Sequence, residues 1–153
     1  MYKKIMVPLD GSELAECVLP HVEELCKEGE ERTIYLVRVV EFFQPYVGDY
    51  ILDAREVERI DRENRAAAAR YLEGLCGRLA CDKLRVERAV LEGRVAEKLA
   101  DYAHANEIEL IVIATHGRSG VSRWVRGSVA DRILHFSNVP ILMIRAPWIE
   151  EKD

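Results

Sequence analysis

The 153-residue chain has little cysteine and no cysteine spacing that carries chemistry. Cys17, Cys26, Cys76 and Cys81 form no Cys-x-x-Cys pair and have no paired histidines, so reduced thiols are expected. No apolar stretch reaches ~18 residues, so no membrane span is expected. The opening Met1-Tyr2-Lys3-Lys4-Ile5-Met6-Val7-Pro8 has too short an apolar run for a signal peptide, and the expected location is cytoplasmic. An excess of basic residues is also lacking. The net charge is −5 and the pI is near 5.5, which argues against a general nucleic-acid binder. There is no internal repeat, linker or low-complexity segment. Neither the Gly-x-x-x-x-Gly-Lys-Ser/Thr loop nor the Gly-x-Gly-x-x-Gly fingerprint occurs, which removes the two commonest glycine-rich phosphate loops.

With 49% hydrophobic and 32% charged residues, the composition is that of a globular domain. A chain of this length buries roughly two-thirds of its unfolded surface without a metal or disulfide staple. Ile5 to Leu9 is a short apolar run that reads as a buried strand, ending at Asp10-Gly11-Ser12. Ser12 is placed to cap a helix over 13–28, with Leu14, Val18, Val22 and Leu25 at helical spacing and Pro20 set to kink it or displace its start. Thr33 to Val40 reads as a second strand, and residues 41–53 as a loop. A charged helix follows over about 54–80, with Val57, Ile60, Ala67, Tyr71 and Leu75 inward and a solvated face carrying i,i+4 pairs. Leu84 to Leu91 is a third strand, Val95 to Ala105 a helix, Leu110 to Ala114 a fourth strand, 128–137 a helix and Pro140 to Arg145 a fifth strand. Alternation of this kind predicts an α/β fold: a doubly wound five-stranded parallel sheet, order 3-2-1-4-5, with helices on both faces. One domain over 1–147 and a polar tail over 148–153 are expected. In that order the winding reverses between the first and fourth strands, where ligands bind at the strands' carboxyl ends.

The segment from Ile111 to Ser128 points to the same place. A strand gives way to a loop with Arg118, Arg123 and Arg126 and no acidic residue, and Gly127-Ser128 opens a helical pattern. Free N–H groups and the helix dipole make such a helix start a site for phosphate, and the Ser hydroxyl adds a donor. An ordinary loop with a Ser cap would look the same. His116 reads as a general base or as a residue that structures the loop. Asp10 reads as a ligand for Mg²⁺ or a ribose hydroxyl, or as a turn residue before Gly11. Trp124 reads as a partner contact or a packing anchor.

The opening K-K-I-M-V-P-L-D-G-S, the strand L-V-R-V-V, the segment E-L-I-V-I-A-T-H-G-R-S-G and the ending G-S-V-A-D-R-I-L-H-F-S-N-V-P-I-L-M-I-R together resemble the universal stress proteins, over nearly the whole chain. The ATP-binding branch of that family carries Gly-x2-Gly-x9-Gly-Ser/Thr, matched here by Ala114, Gly117, Gly127 and Ser128. The resemblance implies ATP, or ADP or AMP, in the crevice. Pro8, Asp10 and Val39 would surround adenine and ribose. Ala114 and Gly117 would approach ribose and phosphates, and Gly127 and Ser128 would hold the phosphate chain, with Mg²⁺ carried on the phosphates. Arg118 is added from the loop's charge and is not part of the motif. Two positions depart from the pattern. Ala114 replaces the first glycine, at little cost unless its φ must be positive or the ligand approaches closest there. Arg38 stands where many members have His, and either covers the base or faces solvent.

A nucleotide-binding stress-response module, acting through conformation or partner binding, is the expected function. No nucleophile–base–orienter set is evident, so at most slow ATP hydrolysis is expected. The alternatives are an interaction protein without nucleotide and an adenylate-handling enzyme related to ATP pyrophosphatases, of whose loop Asp10-Gly11-Ser12 is a fragment. The fifth strand belongs at the sheet edge, where unpaired backbone invites another strand. The resemblance implies a homodimer there, through Ile141, Leu142, Met143 and Ile144. Protein partners beyond that are not specified.

Overall fold

Strand β1 (Lys4–Pro8) shows no polar alternation because both of its faces are covered; Ile5, Met6 and Val7 are fully buried. The computed structural model describes residues 2–27, 30–42, 46–47, 50–51, 53–79, 83–115 and 129–146. After β1, Ser12 takes an extended conformation and its Oγ accepts from the Ala15 N–H at 3.1 Å, starting α1 (Glu13–Glu16). The helix stops at Cys17, and α2 (Leu19–Cys26) restarts with Pro20 in its first turn, where a missing N–H costs nothing. Pro20 thus divides the expected helix into two.

β2 (Arg32–Val40) follows. Within the stretch read as loop, β3 (Tyr46–Val47) and β4 (Tyr50–Ile51) pair antiparallel, too short for an alternating pattern to mark them. Asp53 caps the long α3 (Ala54–Arg78), its Oδ1 accepting from the Glu56 N–H at 2.8 Å. Ala68, Leu72 and Leu75 are its buried residues, and Leu79 continues the row. Ala67, read as inward, is exposed: the inward row runs at spacings of four and three through Ala68, and Ala67 lies a turn of about 100° away. β5 (Leu84–Glu92), α4 (Val95–Ala105), β6 (Leu110–Thr115), α5 (Val129–Phe136) and β7 (Ile141–Arg145) complete the order, with boundaries at most two residues from those read in the sequence.

The main sheet is all parallel with order β5-β2-β1-β6-β7, which is 3-2-1-4-5 when its five strands are counted along the chain. β2 and β5 pair over nine residues, from Arg32 opposite Leu84 to Val40 opposite Glu92. Alternate side chains divide between two cores. Ile5, Val7, Ile34 and Leu36 pack with Val18, Val22, Leu72 and Leu75 on the α1–α3 face. Met6, Val37, Ile111 and Ile113 pack with Leu99, Ala103 and Ile133 on the α4–α5 face. The helix after β1 therefore covers one face and the helix after β6 the other, although β1 and β6 are neighbours. The winding reverses between them, and that reversal opens the crevice.

Candidate functional site at the switch point

The β1 end of the crevice is a closed turn. Pro8 is buried, and the Leu9 N–H extends the ladder to the Val37 carbonyl at 2.9 Å. Asp10 is exposed. Its Oδ1 accepts from the Ser12 N–H at 2.8 Å and from the Ser12 hydroxyl at 2.6 Å, so Asp10 is a turn residue that also positions the cap of α1. Its other oxygen has no hydrogen-bond partner among the described residues.

The backbone favours glycine at position 11: its φ of +89° is a conformation that side chains avoid, and a Cβ built there would lie 2.9 Å from Nη1 of Arg38, which would have to move aside. Arg38 is half-buried, with Cζ 5.3 Å from the centroid of the Tyr71 ring. It neither projects into solvent nor stands apart from the turn; it folds back over Gly11. The Tyr71 hydroxyl donates to Glu16 Oε1 at 3.0 Å, and Arg78 Nη1 donates to Glu16 Oε2, also at 3.0 Å. Burial chiefly raises the Tyr71 pKa, the bond to Glu16 and the charges of Glu16 and Asp10 raise it further, and Arg38 opposes them. Asp10, Arg38, Tyr71 and Glu16 therefore form one electrostatic neighbourhood.

Val39 is half-buried and packs on the α4–α5 face, the side opposite Arg38, as strand alternation requires. Beyond it, the Val40 carbonyl accepts from Gly93 at 3.1 Å. Across the switch point, Ala114 lies inside β6 opposite Ile144, half-buried against the α1–α3 core. Among the described residues Glu107 alone has positive φ without being glycine, so Ala114 occupies ordinary strand backbone. The methyl group there imposes no backbone strain. Gly117, Arg118, Gly127 and Ser128, with His116 and Trp124, lie outside the described residues. α5 begins at Val129, directly after Ser128.

The structure thus brings Pro8, Asp10 and Ala114 to the adjoining ends of β1 and β6, with Val39 on β2 beside them. Arg38, Tyr71 and Glu16 join Asp10 there. The sequence reading took Tyr71 as a core position and assigned no role to Glu16. The Arg38–Tyr71 contact spans 33 positions in the sequence, and no local pattern announces it. A separate open groove is lined by Phe42, Val57, Asp61, Arg65 and Glu92, and none of the expected site residues borders it. On the outer strand β7, Leu142 and Met143 are exposed, while Ile141 and Ile144 are half-buried against opposite cores. Cys17 and Cys76 are half-buried thiols, and burial raises the pKa of Cys17, which disfavours its reactive thiolate. Cys81 lies outside the described residues. No described helix is long and apolar enough to cross a membrane.

The fold is a doubly wound parallel α/β sheet whose winding reverses between β1 and β6. The chain belongs to the universal stress protein family, whose model matches residues 1–145. It is 27% identical over 148 residues to a universal stress protein of Methanocaldococcus jannaschii, covering 96% of this chain and 84% of that one. Among solved structures, universal stress protein UspA from Lactobacillus plantarum shares the fold at a TM-score of 0.76 and 18% identity, over 94% of this chain and 98% of that one. The universal stress protein from Archaeoglobus fulgidus in complex with dAMP shares it at 0.57 and 20%, over 94% and 98%. A family member from Arabidopsis thaliana with AMP bound shares it at 0.64 and 14%, over 95% and 92%.

Proposed function

We propose that this chain is an adenine-nucleotide-binding regulatory module of the stress response rather than a dedicated enzyme, with ATP as the principal ligand and ADP or AMP as alternatives. The observation that carries the reading is the meeting of Pro8, Asp10 and Ala114 at the reversal between β1 and β6, directly before the Gly117…Gly127-Ser128 spacing. Adenine and ribose lie against Pro8, Asp10 and Val39. The phosphates run from Ala114 and Gly117 toward Gly127 and Ser128, with Arg118 adding positive charge and Mg²⁺ held through the phosphates. Fold neighbours with AMP and with dAMP support an adenine ligand. The unit spans 1–147, with 148–153 a tail, and acts in the cytoplasm. Occupancy acts only through unequal affinity for two states of the domain or its partners. Two chains pair through Ile141, Leu142, Met143 and Ile144 of β7.

Calorimetric titration of Mg·ATP, with mass spectrometry of any co-purified nucleotide, tests this. Gly127→Trp is expected to abolish binding and leave the circular dichroism unchanged. Equal binding by the variant and the wild type would overturn the site.

A further inference from the structure

We propose that Arg145, at the end of β7, holds the outer phosphates of the bound nucleotide and so sets its preference for a triphosphate over a monophosphate. The inference rests on the nucleotide reading above and deepens it. Arg145 stands opposite Thr115 in the β6–β7 ladder, and the ladder runs one step beyond it, the Ala146 N–H donating to the Thr115 carbonyl at 3.0 Å. Its backbone is thereby fixed beside the last residue of β6, one position after Ala114. Ile144 packs against the α1–α3 core and Ile141 against the α4–α5 core, so strand alternation places the Arg145 side chain on the α4–α5 face. Helix α5 lies on that face, with Ala130 and Ile133 in the same core. It joins two parallel strands and so runs back along the sheet, which puts its N-terminus at their carboxyl ends, the end where Arg145 stands.

A cation at that end of the sheet stands on the side of the positive pole of the α5 dipole, which disfavours it. Arg145 is exposed and makes no ion pair or side-chain hydrogen bond among the described residues. An anion between the guanidinium and the helix start makes both of them favourable partners, and phosphate accepts the arginine fork in bidentate fashion. Among residues 8–12, 114–115 and 144–146, which end β1, β6 and β7, Asp10 is the only acid and Arg145 the only base. The strand order sets which phosphate is served. The ribose at Asp10 belongs to β1 and the first phosphate at Ala114 to β6, while Arg145 stands one strand further out, a step of about 4.8 Å in the sheet. A monophosphate stops at β6; two more phosphoryl groups carry negative charge across that step.

Titration of Mg·ATP and AMP into wild type, Arg145→Gln and Arg145→Lys separates the outcomes, at low and at high salt. A melting temperature and a light-scattering mass for each protein keep binding apart from folding and pairing. Arg145→Gln is expected to weaken ATP by about tenfold or more and AMP by less than about threefold, as the loss of a charged hydrogen-bonding group does. Its ATP affinity should also fall less steeply with salt than that of the wild type. Arg145→Lys should lie between the two, because an ammonium keeps the charge and loses the fork. Unchanged ATP affinity in Arg145→Gln, equal losses for ATP and AMP, or a lysine variant no better than the glutamine one would each overturn the inference and leave the nucleotide reading standing. Wild type that binds neither nucleotide would overturn both.

Discussion

The two outer strands of the sheet, β5 and β7, each have one edge with no neighbouring strand among the described residues, and they differ sharply in the side chains they carry there. On β5, four of the nine residues are charged: Arg85, Glu87, Arg88 and Glu92. Arg85 pairs with Glu87 at 2.7 Å, Arg88 with Glu73 at 3.4 Å, and Glu92 with Arg65 at 2.8 Å. Charge along an edge discourages a second strand, because pairing would bury it. On β7, Ile141-Leu142-Met143-Ile144 carries no charge before Arg145, and Leu142 and Met143 are 36% and 48% exposed. Helix α5, which leads into β7, exposes Leu134 and Phe136 as well. The β5 flank is charged and packs against α3, with Phe42 exposed beyond the end of β2; the β7 flank exposes Leu134, Phe136, Leu142 and Met143. Exposed apolar surface concentrated on one flank is a mark of an interaction surface. It is the surface on which we propose the two chains pair.

The comparison breaks first in the cores. Leu72, fully buried beneath the β2–β5 flank, should cost about 2–5 kcal/mol as Leu72→Ala, read by urea unfolding. Leu142→Ala on the β7 flank should stay within about 0.5 kcal/mol when unfolding is measured at the lowest workable protein concentration. Equal losses at the two positions would mean that the flanks do not differ as described.

Association is the next largest effect. Met143→Asp places a charge on the β7 edge and should halve the mass seen by light scattering, from twice 17.5 kDa to 17.5 kDa, whereas Arg85→Ala on β5 should leave it unchanged. A wild type that already runs at 17.5 kDa would remove the proposed pairing.

A pH dependence sharpens the inner side of the β5 flank. Burial raises the folded-state pKa of Tyr71 above its ordinary 10.0. In the unfolded chain the phenol loses its proton near that ordinary value. Above it the folded state holds more protons than the unfolded, and stability falls as pH rises. Tyr71→Phe should make the fall between about pH 10 and 12 shallower in urea titrations. Tyr102, whose pKa is also raised chiefly by burial, keeps part of the slope in the variant. The smallest effect is expected from Arg65→Met. Its ion pair with Glu92 is substantially exposed, so the loss should be under about 1 kcal/mol by thermal unfolding.

Much of this architecture was legible along the chain because the signals are local. β1 and β6 are continuous apolar runs, and the parallel order follows from strands alternating with helices. The cap at Ser12 and the break at Pro20 are single-residue effects. The misplacement of Ala67 has the same origin: in a run of four alanines, Ala66 to Ala69, every position is equally apolar, and only packing against the sheet selects Ala68. The strand ends that border the proposed site were legible. Pro8, Asp10 and Ala114 stand at strand ends that the topology brings together. Tyr71 and Glu16 gave no signal, because a tyrosine at helical spacing looks like any core residue and a glutamate on a short helix like any surface charge.

The sequence alone determined the class of fold, the two buried faces of the sheet and the place where its winding reverses. Those follow from apolar periodicity and from the handedness of crossovers, which need no knowledge of distant contacts. The tertiary structure decided which side chains crowd that place. It folded Arg38 over Gly11 and Tyr71, turned Asp10 into its own turn and left Ala114 in ordinary strand backbone. These outcomes depend on residues tens of positions apart reaching one point in space, and spacing along a chain carries no record of that.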